Sequence, residues 1–460
     1  MKRNFSKSVL VLAALMLLNG YCGTCYAASP FEEESTTVSL TKKTEDTAVS
    51  KNSDDSKEEK SGFWSSLGKL AKKGVSVVKG GAKKAKDAVV GGYEKVSGAI
   101  KSVASKKKDS YIVESIFLPG HESKEMVCQG IAYLPEKVMD ADQQGDGVNT
   151  KYVLLSYYPK DSNQPSQILV VDRSTQKAVK RFALYKSNGK AYTGHAGGIA
   201  VAGQYLWVAS GGTIYGFEVQ EILDFIKDSK TKASAVSGLP DSMDKLPAKD
   251  LTAVKTYSVD SKASFVSFDG KYIWVGDFTK GSNYKPVEHH KIMGRKNLIA
   301  GYLVDSDGYP TSTVEYTYKD GDDSETVHKP DAVIAMRESV QGMAICGDYA
   351  ALTISYGAVN SKLAIYSNPL KKDSEKVSYK PAGQSKTYTV DAWELKDGKN
   401  WIETVKLAAG AEDLEYDGEN LYVTFECSSK NYRTKWSLNP LVKITDDFYL
   451  IDPKVIAEKK

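Results

Sequence analysis

The chain of 460 residues lacks the features that would assign it at once to a membrane-transport or a well-known enzyme class. Its mean hydropathy is -0.38 and its only long apolar run lies at the N-terminus, which disfavours a bundle of membrane-spanning helices. The sequence contains no GxSxG, no GxxxxGK[ST] and no HExxH motif. Function must therefore come from side chains that the fold brings together.

Cysteine is scarce, with five residues in the chain. Two of them lie in an N-terminal segment with the pattern of a secretory signal: a basic start, a short apolar run and small residues before Ala27. We expect a signal peptide over residues 1–27 and a secreted or extracytoplasmic location, with an uncleaved anchor as the alternative. The remaining Cys128, Cys346 and Cys427 allow at most one intramolecular disulfide. A Cys128–Cys427 disulfide and buried free thiols both agree with the sequence.

Two segments of opposite charge follow the signal. Residues 28–62 carry nine acidic side chains against five lysines and almost no large apolar ones, which predicts a disordered polar linker. Residues 63–108 carry twelve lysines against two acidic side chains, and their apolar residues recur every three or four positions. This period predicts a basic amphipathic helix.

The basic helix has the composition of a surface-binding segment. Its aromatic start and its lysines predict attachment to an anionic membrane or envelope, at about 1 kcal/mol for each lysine near the surface. Packing on the following domain and a plain lysine-rich tether are the alternatives. The residues expected to touch the membrane are Phe63, Trp64, Lys69, Lys72, Lys73, Lys79, Lys83 and Lys84.

Beyond residue 110 the chain consists of short β-branched and aromatic runs punctuated by glycine, which is typical of all-β proteins. One motif returns five times. The copies are Gln129-Gly130-Ile131-Ala132-Tyr133, Gly197-Gly198-Ile199-Ala200-Val201, Ser264-Phe265-Val266-Ser267-Phe268, Gln341-Gly342-Met343-Ala344-Ile345 and Glu412-Asp413-Leu414-Glu415-Tyr416. Each copy begins a group of four predicted strands, and a turn glycine follows the motif in the last four copies.

Radial repetition of four antiparallel strands predicts a β-propeller over residues 109–460, with five blades of about 70 residues. A six- or seven-bladed ring is the alternative. The chain ends on a third strand at residues 448–452, so we expect the strand at residues 115–118 to complete the last blade. The repeats resemble those of secreted bacterial β-propeller proteins, five-bladed rings above all, over about 350 residues. No diagnostic site motif accompanies this resemblance, and the fold alone does not choose a function.

Loops that join the fourth strand to the next blade, and loops that join second to third strands, share one face of a propeller. Candidate ligand-binding residues at the channel on that face are Gln129, His195, Ser264, Gln341 and Glu412. Candidate catalytic carboxylates are Glu412 with Asp277 or Glu426, because Asp413 alternates with Glu412 along a strand and should point elsewhere. Candidate metal ligands, for a divalent cation such as calcium, are His121, Glu122, His195, His289 and His290. The alternative is that these are solvated loop residues, with Gln129 and Gln341 satisfying backbone groups in the channel.

The sequence leaves open whether the protein is an enzyme. The leading hypothesis is an exported, surface-associated binding module, with a glycan or protein ligand at the channel face and the basic helix on an anionic envelope. The alternative is a secreted hydrolase of glycosidic or phosphoester bonds, with or without a metal. A nucleic-acid partner is disfavoured, because the counted charges leave the propeller mildly acidic.

Overall fold

A computed structural model describes residues 111–144, 151–160, 163–230, 241–320 and 323–458. The expected signal peptide, polar linker and basic helix lie outside these ranges. Within them, no helix has the length and apolar character needed to cross a membrane.

Five sheets of four to six strands form the blades. Blade 1 contains β2 (Met126–Leu134), β3 (Tyr152–Pro159), β4 (Gln167–Asp172), β5 (Lys177–Tyr185) and β9 (Ala248–Thr252). Blade 2 contains β6 (Gly198–Ala202), β7 (Tyr205–Ser210), β8 (Thr213–Glu218) and β10 (Lys255–Ser258). Blade 3 contains β11 (Phe265–Phe268), β12 (Tyr272–Gly276), β13 (Asn297–Leu303), β16 (Ala332–Met336), β21 (Tyr388–Glu394) and β20 (Glu375–Tyr379).

Blades 4 and 5 each have four strands, as blade 2 does. Blade 4 contains β17 (Val340–Cys346), β18 (Tyr349–Ile354), β19 (Asn360–Ser367) and β22 (Trp401–Ala409). Blade 5 contains β23 (Ala411–Tyr416), β24 (Leu421–Phe425), β25 (Asp447–Ile451) and β1 (Ile112–Phe117). The remaining elements are the hairpin β14 (Glu315–Asp320) and β15 (Asp323–His328), and the helices α1 (Val219–Lys227), α2 (Asp241–Asp244), α3 (Lys430–Trp436) and α4 (Pro453–Ala457). Short 3-10 turns lie at Ala141–Gln143, Glu288–His290, Pro369–Lys371 and Glu426–Ser428.

The prediction of five blades is confirmed, and the described residues do not form the six- or seven-bladed alternative. The predicted closure of the ring is also observed, because β1 pairs antiparallel with β25, with Ile116 opposite Phe448. The first strand of the ring therefore completes its last blade. This pairing covers strand edges that separate sheets would leave open.

The first strands of the five blades, β2, β6, β11, β17 and β23, line the centre and contact one another in a closed cycle. Their close approach explains the glycines of the repeated motif. A Cβ atom on Gly197 would lie 2.3 Å from the carbonyl oxygen of Ser264, and one on Gly198 would lie 2.5 Å from the amide nitrogen of Val266. A side chain at either position would push neighbouring blades apart.

Two long connections between strands link neighbouring blades; these connections are called excursions here. The chain leaves blade 2 after β8 and adds β9 to blade 1 by parallel pairing with β5. It leaves blade 4 after β19 and adds β21 to blade 3 by parallel pairing with β16. Each excursion thus extends the preceding blade at its outer edge.

The core consists of apolar layers between blades, in which large side chains such as Trp207 and Trp274 are fully buried. Burial of each side chain of this size contributes roughly 1.5–3 kcal/mol.

All three described cysteines are free and buried, so the Cys128–Cys427 disulfide is absent and the free-thiol alternative holds. Burial raises the pKa of the Cys128 thiol to about 12, which leaves it protonated and unreactive.

Candidate functional site

Three of the residues expected at the channel lie in β-bulges of the inner strands. The register of strand pairing shifts between Cys128 and Ile131, between Val340 and Gly342, and between Ala411 and Leu414. These shifts contain Gln129, Gln341 and Glu412. A bulge re-aims a side chain relative to the regular alternation of a strand. The bulges therefore release these three side chains from the regular alternation of their strands.

Glu412 is the central acidic group of this region. Its side chain is buried, and the Gln341 amide donates to its Oε1 at 3.4 Å. Burial raises the pKa of Glu412 well above its usual range, and the charges of Glu426 and Asp413 raise it further. Burial therefore favours the protonated form of this carboxyl.

Glu426 is the second carboxyl and lies in the 3-10 turn that follows β24. Glu426 is half-buried, and partial loss of solvent raises its pKa to about 7, while the Tyr432 hydroxyl, the Lys160 charge and the Gln129 amide limit the rise. The charge of Glu426 in turn raises the pKa of Glu412, so the two carboxyls titrate as a pair. Of the two, Glu412 has its pKa held well above its usual range by burial, and Glu426 is the partly ionised group near pH 7.

Aromatic side chains stand beside these carboxyls. The Tyr158 ring packs on the His195 ring with 4.1 Å between centroids, and its hydroxyl lies 3.4 Å from that of Tyr432. The Lys160 ammonium lies 5.0 Å from the centre of the Tyr432 ring. Burial raises the pKa of both tyrosines, so their hydroxyls stay neutral. We use the name channel-mouth site for Gln129, Tyr158, Glu412, Glu426 and Tyr432.

Asp413 does not belong to the channel-mouth site, as the sequence predicted, although the bulge removes the strict alternation on which that expectation rested. Its Oδ2 accepts hydrogen bonds from the amides of Ile131 at 3.2 Å and Ile199 at 3.1 Å. Asp413 therefore joins the inner strands of blades 5, 1 and 2. Burial raises its pKa well above the ordinary range.

A second polar group, here called the histidine cluster, contains Asp260, Asp277, His289 and His290. The His289 Nε2 atom lies 3.0 Å and 2.9 Å from the two carboxylate oxygens of Asp260. The His290 ring lies between the two carboxylates, with Nε2 at 3.0 Å from Asp260 and Nδ1 at 3.2 Å from Asp277. The hydroxyls of Tyr316 and Tyr379 donate to Asp260 Oδ2.

The charges of the cluster depend strongly on one another. Burial alone would lower the pKa of His290, but the charges of Asp260 and Asp277 and their hydrogen bonds raise it to about 10. Burial would likewise raise the pKa of Asp260, but His290 and His289 hold it below its ordinary range. Without a metal, the cluster thus contains an ionised Asp260 beside a protonated His290.

The predicted site residues fall into separate places. Asp277 belongs to the histidine cluster, so of the two proposed partners of Glu412 only Glu426 is coupled to it. Among the candidate metal ligands, His289 and His290 meet on Asp260, whereas His195 packs on Tyr158.

The three remaining candidates, His121, Glu122 and Ser264, have local partners. His121 pairs with Glu122, with 3.1 Å between Nδ1 and Oε2, and its ring packs edge-on against Phe117. The Ser264 hydroxyl accepts a hydrogen bond from the amide of Phe278 at 2.9 Å.

Sequence reasoning missed several members of both groups. Asp260 follows a fourth strand, in the same class of loop as His195, and this position was a usable signal. Tyr432 lies on α3, between two strands of blade 5, and Tyr379 lies in an excursion, so the repeat gave no signal for either. Tyr158 lies on a regular strand, where an aromatic residue is ordinary.

No protein-family model matches the chain, and no curated protein matches it. A solved structure titled "Crystal structure of Myxococcus xanthus Glutaminyl Cyclase" is similar to it over 74% of this chain and 96% of that chain, at 7% sequence identity and a TM-score of 0.32. A likeness of this size carries no argument about activity, so function must be inferred from the site itself.

Proposed function

We propose that the propeller hydrolyses glycosidic bonds at the channel-mouth site. The observation that carries this proposal is the coupled pair Glu412 and Glu426, whose surroundings separate their two proton affinities. Two carboxyls of unequal pKa are the minimum that a glycosidase needs for its acid and its base.

The unequal proton affinities assign the roles. Glu412, whose pKa is raised well above its usual range by burial, acts as the general acid that protonates the leaving oxygen. Glu426, with a pKa of about 7, acts as the base that accepts a proton from water. Gln129, Tyr158 and Tyr432 offer amide and hydroxyl groups to the hydroxyls of a sugar.

Charge favours a glycan over a phosphoester as the substrate. Glu412, Glu426 and Asp413 interact electrostatically in the same region, and Lys160 is the cation that acts on Glu426. A dianionic phosphate would be repelled by the ionised form of Glu426, the proposed base, whereas a neutral sugar would not. The phosphoester part of the hydrolase hypothesis therefore takes second place.

The test is release of 4-nitrophenol from a panel of 4-nitrophenyl glycosides, with 4-nitrophenyl phosphate in parallel. We expect turnover of at least one glycoside, and a loss of about 10²–10⁴-fold in kcat/KM for Glu426→Gln. Glu412→Gln should affect alkyl glycosides more than 4-nitrophenyl glycosides, because nitrophenolate leaves without help from an acid. Glu375→Gln, on an exposed edge strand, is the matched control with unchanged activity.

A second candidate function is glycan binding without turnover. The low exposure of Glu412, at 5%, favours it, because an acid so covered is poorly placed to reach a bound substrate. A glycan that raises the melting temperature of the parent chain but is not cleaved would support this function and count against hydrolysis.

We further propose that the chain is exported and held at an anionic surface by residues 63–108. The twelve lysines of this segment and its aromatic start support the proposal. Deletion of residues 61–108 should release the protein from the cell surface into the medium. Retention at the parent level would contradict it.

A further inference from the structure

The histidine cluster is assembled from separate parts of the chain. Asp260 follows β10, Asp277 follows β12, and both histidines lie in the 3-10 turn Glu288–His290 within the connection between β12 and β13. Tyr316 comes from β14 and Tyr379 from β20. The cluster therefore links blades 2 and 3 to the segments that carry the histidines and the tyrosines.

The cluster combines complete burial with two carboxylates. Asp260 and His290 have no exposed surface, Asp277 is 1% exposed and His289 is 8% exposed. Asp260 forms ion pairs with His289 and His290, and Asp277 forms one with His290. Two buried carboxylates need positive charge close by, and neutral imidazoles do not supply it. Either protons on the histidines or a metal cation must provide this charge.

The His290 ring lies between the carboxylates of Asp260 and Asp277. A neutral imidazole has one N–H, so it donates to one carboxylate and turns a lone pair towards the other. If Nδ1 donates to Asp277, then Nε2 and the Asp260 oxygen are two acceptors only 3.0 Å apart. A cation placed there satisfies both. A carboxylate on the far nitrogen of a histidine is also the usual partner of a metal-binding imidazole.

The His289 ring agrees with the same arrangement. Its Nε2 atom points at the Asp260 carboxylate, so one nitrogen from each histidine meets the same acid group. The Ala382 amide donates to Nδ1 over a long distance of 3.4 Å. Metal binding through Nε2 places the proton on Nδ1, so this weak hydrogen bond would be lost when the metal binds.

We propose that Asp260, His289 and His290 bind a structural zinc ion, with Asp277 orienting His290. Two imidazoles and a carboxylate are a donor set that suits zinc, whereas calcium takes oxygen ligands, so the earlier expectation of calcium does not fit this cluster. The hydroxyls of Tyr316 and Tyr379 are further oxygen donors beside Asp260. Because the cluster residues are buried, the ion would stabilise the fold and would not take part in catalysis.

The test is zinc binding by the full chain. The protein is stripped with a chelator, dialysed against zinc and analysed for metal by mass spectrometry, with affinity measured by competition against a fluorescent zinc chelator. We expect one zinc per chain in the parent, and a large loss of affinity in His289→Ala and in His290→Ala. Asp277→Asn should bind about 10–100-fold more weakly, because it removes only the orienting partner.

His121→Ala, which changes a histidine outside the cluster, is the control and should retain the parent zinc content. If the alanine variants fail to fold, the parent chain alone still tests the proposal. Cobalt bound at this site should give visible d–d absorption, and added zinc should abolish it. A parent chain that binds no stoichiometric zinc, and melts at the same temperature with zinc and with chelator, would overturn the proposal. Zinc content unchanged in both histidine variants would also overturn it.

Discussion

Asp413 offers the sharpest test of how the ring is held together. Its carboxylate accepts the amides of Ile131 and Ile199 from two other blades, and all these groups are buried. Replacement by alanine leaves two buried amide donors without an acceptor, at about 1–3 kcal/mol each. Removal of a buried carboxyl recovers part of this cost, so we expect Asp413→Ala to lower the free energy of unfolding by about 2–4 kcal/mol.

Asp413→Asn separates the hydrogen bonds from the charge. Asparagine keeps an acceptor oxygen for both amides, so the free energy of unfolding at pH 5 should stay within about 1 kcal/mol of the parent. The pH dependence should differ. The pKa of Asp413 is raised in the folded state, so its contribution is full below the ordinary pKa of about 4 and is lost as pH rises towards the folded value. The asparagine variant should therefore lose less stability than the parent between pH 5 and pH 8.

Urea unfolding followed by tryptophan fluorescence suits this measurement, because Trp207 and Trp274 are buried between blades and become exposed on unfolding. An alanine variant within about 0.5 kcal/mol of the parent at pH 5 would show that the two amides do not depend on Asp413. An asparagine variant with the same pH dependence as the parent would refute the buried charge as its cause.

Three further predictions concern the site and the ring. On any glycoside that is turned over, kcat/KM should rise with pH through about 7, the pKa of Glu426, and pH profiles of Glu426→Gln should lack this rise. The cysteines at 128, 346 and 427 should resist alkylation in the folded protein and react only in urea, as mass spectrometry of the labelled peptides would reveal. Gly197→Ala should lower the melting temperature by several degrees in calorimetry, because its methyl group meets the Ser264 carbonyl; an unchanged melting temperature would mean that the blades adjust freely.

Much of the fold was predictable because it is periodic. The five copies of the motif each mark an inner strand, and the predicted second, third and fourth strands all overlap observed ones. Closure by β1 was predicted because second and third strands follow the last copy of the motif, while a further strand precedes the first copy. The parallel additions of β9 and β21 were not predictable, because each pairs with a blade other than the one from which it departs. Such pairings depend on which sheet edge is nearest in space.

The candidate sites were predictable only as sets of residues. Gln129, Gln341 and Glu412 were expected at the channel from their place in the repeat, but bulges release them from the regular alternation of their strands. Glu426 and Asp277 occupy equivalent positions after second strands and had equal claims as partners of Glu412. The fold separates them, because a 3-10 turn puts Glu426 beside Glu412, while the connection containing His290 draws Asp277 away.

The sequence by itself determined a five-bladed ring and the positions of its inner strands, because turn glycines and alternating apolar residues act within a few residues of one another. Only the tertiary structure decided which acids meet. Glu412 and Glu426 lie on neighbouring elements of blade 5, and a bulge and a 3-10 turn bring them close enough to interact. Asp260 is buried against two histidines and two tyrosines from more distant segments, the farthest of them 119 residues away. Their pKa values follow from loss of solvent and from neighbouring charge, which are properties of the packed ring.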